Sequence, residues 1–309
     1  MIVKTRCAAL SCLAMPSLRL AAYCSLLTMS AATNGAAQSP RPTPLATTLP
    51  ISVRFAGLGG ASVAVSGDAG SVFFNPTGLA TVRNIAVEGS LQRYPDGTAE
   101  TMGAAAFRLL QFDLGGGYHY LRFNSDSPVK DNITWVGSAT YRFGIIAVGG
   151  TTKYVSQEDS AGKILRSGSV DAGLGIYVFD LMSLGFSVQN LGDWAVSGGG
   201  VELPTSKHFG FTFNFVDPQE TARLLATMDV AWTEGQDRRT VLGAEAGVVL
   251  SGVGLVGRVG YGAAPDGSGQ RDVSFGASLV LSRVNIDYAH QTRTTLGDYV
   301  HRFGVRFTL

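Results

Sequence analysis

Cysteine is nearly absent from this chain. The three that exist, Cys7, Cys12 and Cys24, all fall within the first 37 residues. The remainder has no thiol, which excludes a disulfide framework and a thiol-ligated metal. Charge is also scarce: Asp, Glu, Lys and Arg make up 15% of the residues, against about 25% in an average soluble domain. The formal net charge is +1, so no broad basic surface points to nucleic acid as a partner. After residue 37 there is no apolar run of about 18 residues, which excludes a membrane-spanning helix. The four histidines, His119, His208, His290 and His301, are scattered without metal-ligand spacing. His290 and His301 have no nearby serine to complete a triad. Gly252–Gly257 matches G-x-G-x-x-G, but no helical pattern follows, and a Gly-rich strand accounts for it. No enzymatic activity and no cofactor are expected.

Glycine, by contrast, is abundant: 40 of 309 residues, nearly twice the usual share of about 7%. High glycine, moderate hydrophobicity and low charge suit a β protein in lipid better than a soluble α/β enzyme.

Residues 1–37 read as a signal peptide. Lys4, Arg6 and Arg19 are basic, and no acid precedes Asp68. Leu20–Met29 is apolar but too short to span a bilayer, and Ala36-Ala37 places small residues before a cut near Gln38. Pro40, Pro42, Pro44 and Pro50 make residues 38–53 an extended linker.

Residues 54–80, RFAGLGGASVAVSGDAGSVFFNPTGLA, are unlike everything after them. They hold one base, Arg54, one acid, Asp68, and many small residues. Asn75-Pro76 is a turn, because proline disfavours the α region for the residue before it. Proline lacks the N–H that a central strand donates, so this segment cannot serve as barrel wall. It is predicted to plug a barrel lumen, with Phe73, Phe74, Asn75, Pro76 and Gly78 as its packing and turning residues and with the Asn75 amide bonded to backbone near the lower rim.

The run from Phe55-Ala56-Gly57-Leu58-Gly59-Gly60 through Asn75-Pro76-Thr77-Gly78-Leu79 resembles the N-terminal signature of the PorV/PorQ family of FadL-like outer-membrane barrels. Val188-Gln189-Asn190-Leu191-Gly192 and the stretch from Asn285 to Phe303 are similar to that family as well. Thr77 stands where FadL-like proteins usually have alanine. The resemblance implies a transmembrane barrel with an N-terminal hatch in its lumen. It also implies type IX secretion components and secreted client proteins as partners. An alternative that the wider superfamily implies is uptake of hydrophobic small molecules through the hatch.

From residue 81 the pattern has period two, hence strand. Phe209, Phe211, Phe213 and Phe215 lie on one face, opposite His208, Gly210, Thr212 and Asn214. Val284, Ile286 and Tyr288 lie opposite Asn285, Asp287 and Ala289. Residues 81–309 divide into about 14 such segments. Their links alternate between tight turns and longer polar loops, with Gly192–Leu203 among the loops. That asymmetry belongs to outer-membrane barrels, with short periplasmic turns and long external loops. The fold class is therefore all-β, an antiparallel transmembrane barrel in the outer membrane of a Gram-negative-type bacterium.

Alternation assigns Glu88, Asp113, Asp171, Asp229, Glu245 and Asp287, with Arg142, Arg223, Arg258, Arg302 and Arg306, to the lumen. Arg or Lys facing mid-bilayer would cost about 2–4 kcal/mol. The balanced signs predict ion pairs rather than a single-sign selectivity filter. In the last strand Phe303, Phe307 and Leu309 share the lipid face. They are expected to form the C-terminal signal read by the barrel-insertion machinery, with outer-membrane lipid as the surrounding partner.

Overall fold

Alternating sequence becomes a closed wall. The computed structural model describes residues 51–309 apart from 180, 198, 217–220, 251, 264–270, 293–295 and 297–298. The expected signal peptide, the three cysteines and residues 38–50 of the linker lie outside the described residues. Fourteen strands follow one another: β1 Ile85–Arg93, β2 Ala99–Leu109, β3 Phe112–Arg122, β4 Val129–Phe143, β5 Ile146–Asp159, β6 Ile164–Val178, β7 Met182–Ser197, β8 Ser206–Val216, β9 Ala222–Thr233, β10 Arg239–Leu250, β11 Val253–Ala263, β12 Arg271–Leu281, β13 Val284–Gln291 and β14 Val300–Thr308. Each pairs antiparallel with its sequence neighbour, and β14 closes on β1, where Glu88 faces Arg306. Lipid offers no partner for backbone N–H and C=O groups, so closure is what makes this sheet viable there.

Both chain ends of the wall lie at the rim that carries the short turns. The Asn84 amide donates to the Leu309 carbonyl at 3.1 Å. That is the periplasmic end of a barrel of this kind. One strand runs further than its sequence pattern suggested. β7 continues to Ser197, through a stretch read as loop. Irregular register between β6 and β7 accompanies this extension, and the Trp194 ring covers Gly168 on β6.

The lipid face carries aromatic rings near both rims, as amphipathic rings favour the interfaces. All three tryptophans, Trp135, Trp194 and Trp232, sit toward the external rim. Phe112, Tyr141 and Phe143 cluster toward the periplasmic one. Leu91, Phe303 and Val305 fill the band between on β1 and β14.

Most of the buried apolar core lies between the wall and residues 51–82, which fill the lumen; two smaller clusters, Tyr94 with Leu121 and Val300 and Val155 with Val201 and Leu203, belong to the wall and its external loops. Ile51, Val72, Phe73, Leu79 and Val82 pack on Ala86, Met102, Ala104, Ala106 and Val136. Phe55, Leu58, Ala61 and Val65 pack on Val241. The segment contains a five-residue helix, α1 Val53–Gly57, and two 3-10 turns, Ala69–Phe73 and Pro76–Thr81. The lumen segment is longer than residues 54–80. Ile51 and Val53, assigned from sequence to the linker, are buried in it.

Wall glycines allow this fit. A Cβ added to Gly117 would stand 2.8 Å from the Phe73 ring, and one added to Gly243 would stand 2.9 Å from the Leu58 carbonyl oxygen. The glycine excess is thus partly a requirement of the lumen face, where backbone meets backbone.

Phe303 is exposed on the lipid face, Phe307 half-buried and Leu309 exposed at the rim. Phe303→Asp or Phe307→Asp is expected to lower the yield of heat-modifiable barrel severalfold, while Thr308→Ser at the rim leaves it unchanged. Semi-native gel mobility of membrane fractions checks this.

Candidate functional site: the plugged lumen

The plug is tied down through its backbone. Asn75 adopts an extended backbone and caps the turn that Pro76 begins; its Oδ1 accepts from the Thr77 amide at 3.2 Å. Its Nδ2 donates to the Val63 carbonyl at 2.9 Å. Asn75 therefore joins two parts of the plug to each other through the Val63 backbone. Phe74 likewise turns inward on the plug, edge-to-face with Phe55. Phe73 faces the wall beside His119. A Cβ at Gly78 would collide with Ser71, at 2.7 Å from its Cβ, so the two 3-10 turns meet there.

Wall side chains supply partners for plug groups that form no regular ladder. Ser183 Oγ donates to the Ala64 carbonyl at 2.7 Å. Gln189 Nε2 donates to the Phe74 carbonyl at 2.6 Å, and Thr140 Oγ1 to the Pro76 carbonyl at 2.7 Å. Two carboxylates act in the other sense. Asp229 accepts the Ser62 and Val63 amides at 2.6 and 2.9 Å. Glu88 accepts the Gly70 amide at 3.0 Å and the Ser52 hydroxyl at 2.6 Å. A buried polar group without a partner costs about 1–3 kcal/mol, so these bonds define a single seating for the plug.

At the centre, six charged groups form a closed cycle of alternating sign. Arg54 pairs with Asp68 at 2.6 Å, Asp68 with Arg306 at 2.5 Å, and Arg306 with Asp287 at 2.6 Å. Asp287 pairs with Arg258 at 3.2 Å, Arg258 with Glu245 at 2.6 Å, and Glu245 with Arg54 at 2.9 Å. Ser278 also donates to Asp287. Arg54 and Asp68 come from the plug; the other four come from β10, β11, β13 and β14. Three positive and three negative charges cancel, which is the condition for keeping them out of water. Arg223, half-exposed, lies 3.6 Å from Glu245 at the edge of the cycle.

The remaining lumen charges form separate pairs. Asp113 meets Arg142 at 2.7 Å and Arg108 at 3.1 Å near the periplasmic rim. Asp171 meets Lys153 at 3.1 Å. Toward the external side, Arg302 pairs with Glu100 at 3.1 Å and donates from Nη2 to the Tyr94 hydroxyl at 2.7 Å; Glu100 also bonds His119 at 2.8 Å and accepts from the Tyr94 hydroxyl. Sequence reasoning had not singled out Glu100, Lys153 or Arg108 for the lumen, although each alternates inward or lies at a strand end beside an acid. It had noted Arg54 and Asp68 only as the lone charges of an otherwise uncharged segment.

A cavity of about 650 Å³ lies between plug and wall at the periplasmic end. Ala64, Ser66 and Thr81 border it from the plug, and Leu225, Val249, Val256 and Val280 from the wall. Tyr177, Asn214 and Arg223 add polar groups, with Arg223 Nε donating to Asn214 Oδ1 at 2.9 Å. Among the described residues no group of three or more His, Cys, Asp or Glu side chains could hold a metal ion. His290 and His301 lie side by side on the outer wall, with ring centroids 4.8 Å apart. Ser206 Oγ lies 2.8 Å from His208 Nε2, but it also bonds Thr233, and no carboxylate is paired with His208 among the described residues.

Two expectations follow for the plug. A chain lacking residues 54–78 should insert and conduct ions in planar bilayers well above the intact protein. Arg54→Gln removes one partner from two buried acids, a change worth about 3–5 kcal/mol. It should raise the frequency of opening while leaving the heat-modifiable barrel intact. Single-channel recording checks both.

No protein-family model and no curated protein sequence matches the chain. Solved structures do. The Pseudomonas putida toluene transporter TodX aligns with a TM-score of 0.55 at 11% identity, covering 82% of this chain and 96% of that one. The Ralstonia pickettii toluene transporter TbuX gives 0.54 at 11% identity over 82% and 96% of the two chains. A Pseudomonas aeruginosa FadL homologue gives 0.52 at 12% identity, over 87% of this chain and 100% of that one. At such identity the likeness is one of architecture: the chain has the fold of the FadL-like outer-membrane barrels.

Proposed function

We propose that this protein is an outer-membrane channel that admits hydrophobic small molecules past a seated plug. The observation that carries the reading is the cavity between plug and wall. A site for an apolar solute needs apolar lining and a few orienting polar groups. Leu225, Val249, Val256 and Val280 provide the first and Tyr177, Asn214 and Arg223 the second, although Arg83, Ser183, Thr212 and Glu245 also line the cavity and make it as polar as it is apolar. The central lumen is closed by the ion-pair cycle, so a solute passes only where plug and wall part. The similar solved structures include toluene transporters and a monoaromatic hydrocarbon channel, which supports cargo of this class.

The PorV/PorQ resemblance carries a second reading, a type IX secretion component that holds secreted client proteins at its external loops. Its support is the motif over residues 54–80, whose residues fold into the plug. Purification of the detergent-solubilised protein with its companions tests this reading: recovery of secretion-machinery proteins or secreted clients favours it.

For the channel reading, a Gram-negative host without a hydrocarbon channel of its own should take up labelled toluene faster when it expresses this chain. Val256→Trp, which fills the cavity from β11, should remove most of that gain at equal barrel yield. Uptake no faster than in the empty host would end the proposal.

A further inference from the structure

Outward-facing residues at the external ends of β3, β2, β1, β14 and β13 form one continuous row. Arg122 faces Ala99, Ala99 faces Arg93, Arg93 faces His301, and His301 faces His290. Arg93, Arg122 and His301 are exposed. The residues directly beneath on β1 and β14, Leu91 and Phe303, are exposed and apolar. Arg93 stands eight residues above Ile85 on a wall whose strands tilt by about 40°, which places it roughly 20 Å up the barrel axis. That is near the top of an apolar band of about 25 Å, where headgroups begin.

No Asp or Glu occupies an outward position on these five strands among the described residues. The nearest outward acid is Asp131 on β4, opposite Arg122. The arginines within the lumen are paired, whereas Arg93 has no ion-pair partner among the described residues. His301 has its Nδ1 at 2.7 Å from the Tyr288 hydroxyl, leaving Nε2 free to face outward. A cationic row of this kind at the apolar edge fits phosphate oxygens held at the same height. Arg93 and Arg122 are separated by one intervening strand, so their Cα atoms are roughly 10 Å apart. The small Ala99 leaves the space between them open.

A second feature lies on the same lipid-facing surface. Below the aromatic level of Tyr118 and Trp135, a groove of about 770 Å³ is lined by Ala105, Gly116, Gly137, Ala139, Gly150 and Val170. Gly116 is six residues down β3 from Arg122, roughly 15 Å along the axis. Small residues there leave room for a hydrocarbon chain that hangs from the row above.

We propose that this part of the outer wall binds a phosphorylated glycolipid of the outer leaflet, with its phosphates on Arg93 and Arg122 and one acyl chain in the groove over Gly116 and Gly137. The site is independent of what passes through the lumen. It would fix the barrel's height and rotational setting among its lipids.

Native mass spectrometry of the full-length barrel, purified in detergent and incubated with bis-phosphorylated lipid A, tests the site. The intact protein should retain the lipid. Arg93→Gln/Arg122→Gln should retain about tenfold less, as expected when charge-assisted bonds are lost, and Arg93→Gln alone severalfold less. Gly137→Leu, at a position where a Cβ meets only the Thr152 hydroxyl at 3.5 Å, should also bind severalfold less. Lys207→Gln, an outward cation on β8, should bind as the intact protein does. Lipid A stripped of its phosphates should be held no better by the intact protein than by the double variant. Heat-modifiable mobility confirms that each variant is folded. Retention by Arg93→Gln at the level of the intact protein, equal loss in Lys207→Gln, or equal retention of phosphatidylglycerol would overturn the proposal.

Discussion

Hydrocarbon accepts no hydrogen bonds, and the rest of the structure follows from that. Each strand must pair on both edges, so fourteen of them close on themselves. A ring of that circumference encloses more space than its own inward side chains fill. The chain therefore supplies residues 51–82 to occupy it. Those residues are mostly irregular, and their amides and carbonyls need partners in turn. The wall answers with Ser183, Gln189 and Thr140 as donors and with Glu88 and Asp229 as acceptors. Most inward charges then lie in a confined space, which explains why nearly all are paired with an opposite sign or bonded to an amide.

Much of this was legible in the sequence because period two is a rigid rule. A charged side chain facing mid-bilayer is costly, so the positions of Glu245, Arg258, Asp287 and Arg306 on the lumen side follow from their strands alone. Asn75-Pro76 marked a place where no wall strand could run. What the sequence did not show was which charges meet. Arg54 lies 191 residues from Glu245, and Arg306 lies 238 residues from Asp68. Such pairs depend on register around the whole ring, which no local pattern carries. The continuation of β7 past Gly192 was hidden for a related reason. Gly192 and Gly199 look like loop punctuation, and only pairing with β6 around the Trp194–Gly168 contact keeps the strand going.

The glycine content has a similar double reading. Composition alone suggested a lipid-embedded β protein. The structure gives part of it a more specific cause: at Gly117 and Gly243 the wall must let another piece of chain come within contact distance. On the outer surface, Gly116, Gly137 and Gly150 do the opposite and leave a depression facing the lipid. One residue type thus thins the same wall from both sides, at positions that alternate along β3 to β5.

The plug's two halves sit on opposite sides of the place where the ring was joined. Its 3-10 turns rest on β1 to β6, and α1 rests on β11 to β14. Glu88 on β1 holds Ser52 and Gly70, while Arg306 on β14 holds Asp68. The plug precedes every strand in the chain, yet part of its binding surface comes from the last four strands. Full seating of the plug therefore requires that the first and last strands stand side by side, because its contacts are shared between them.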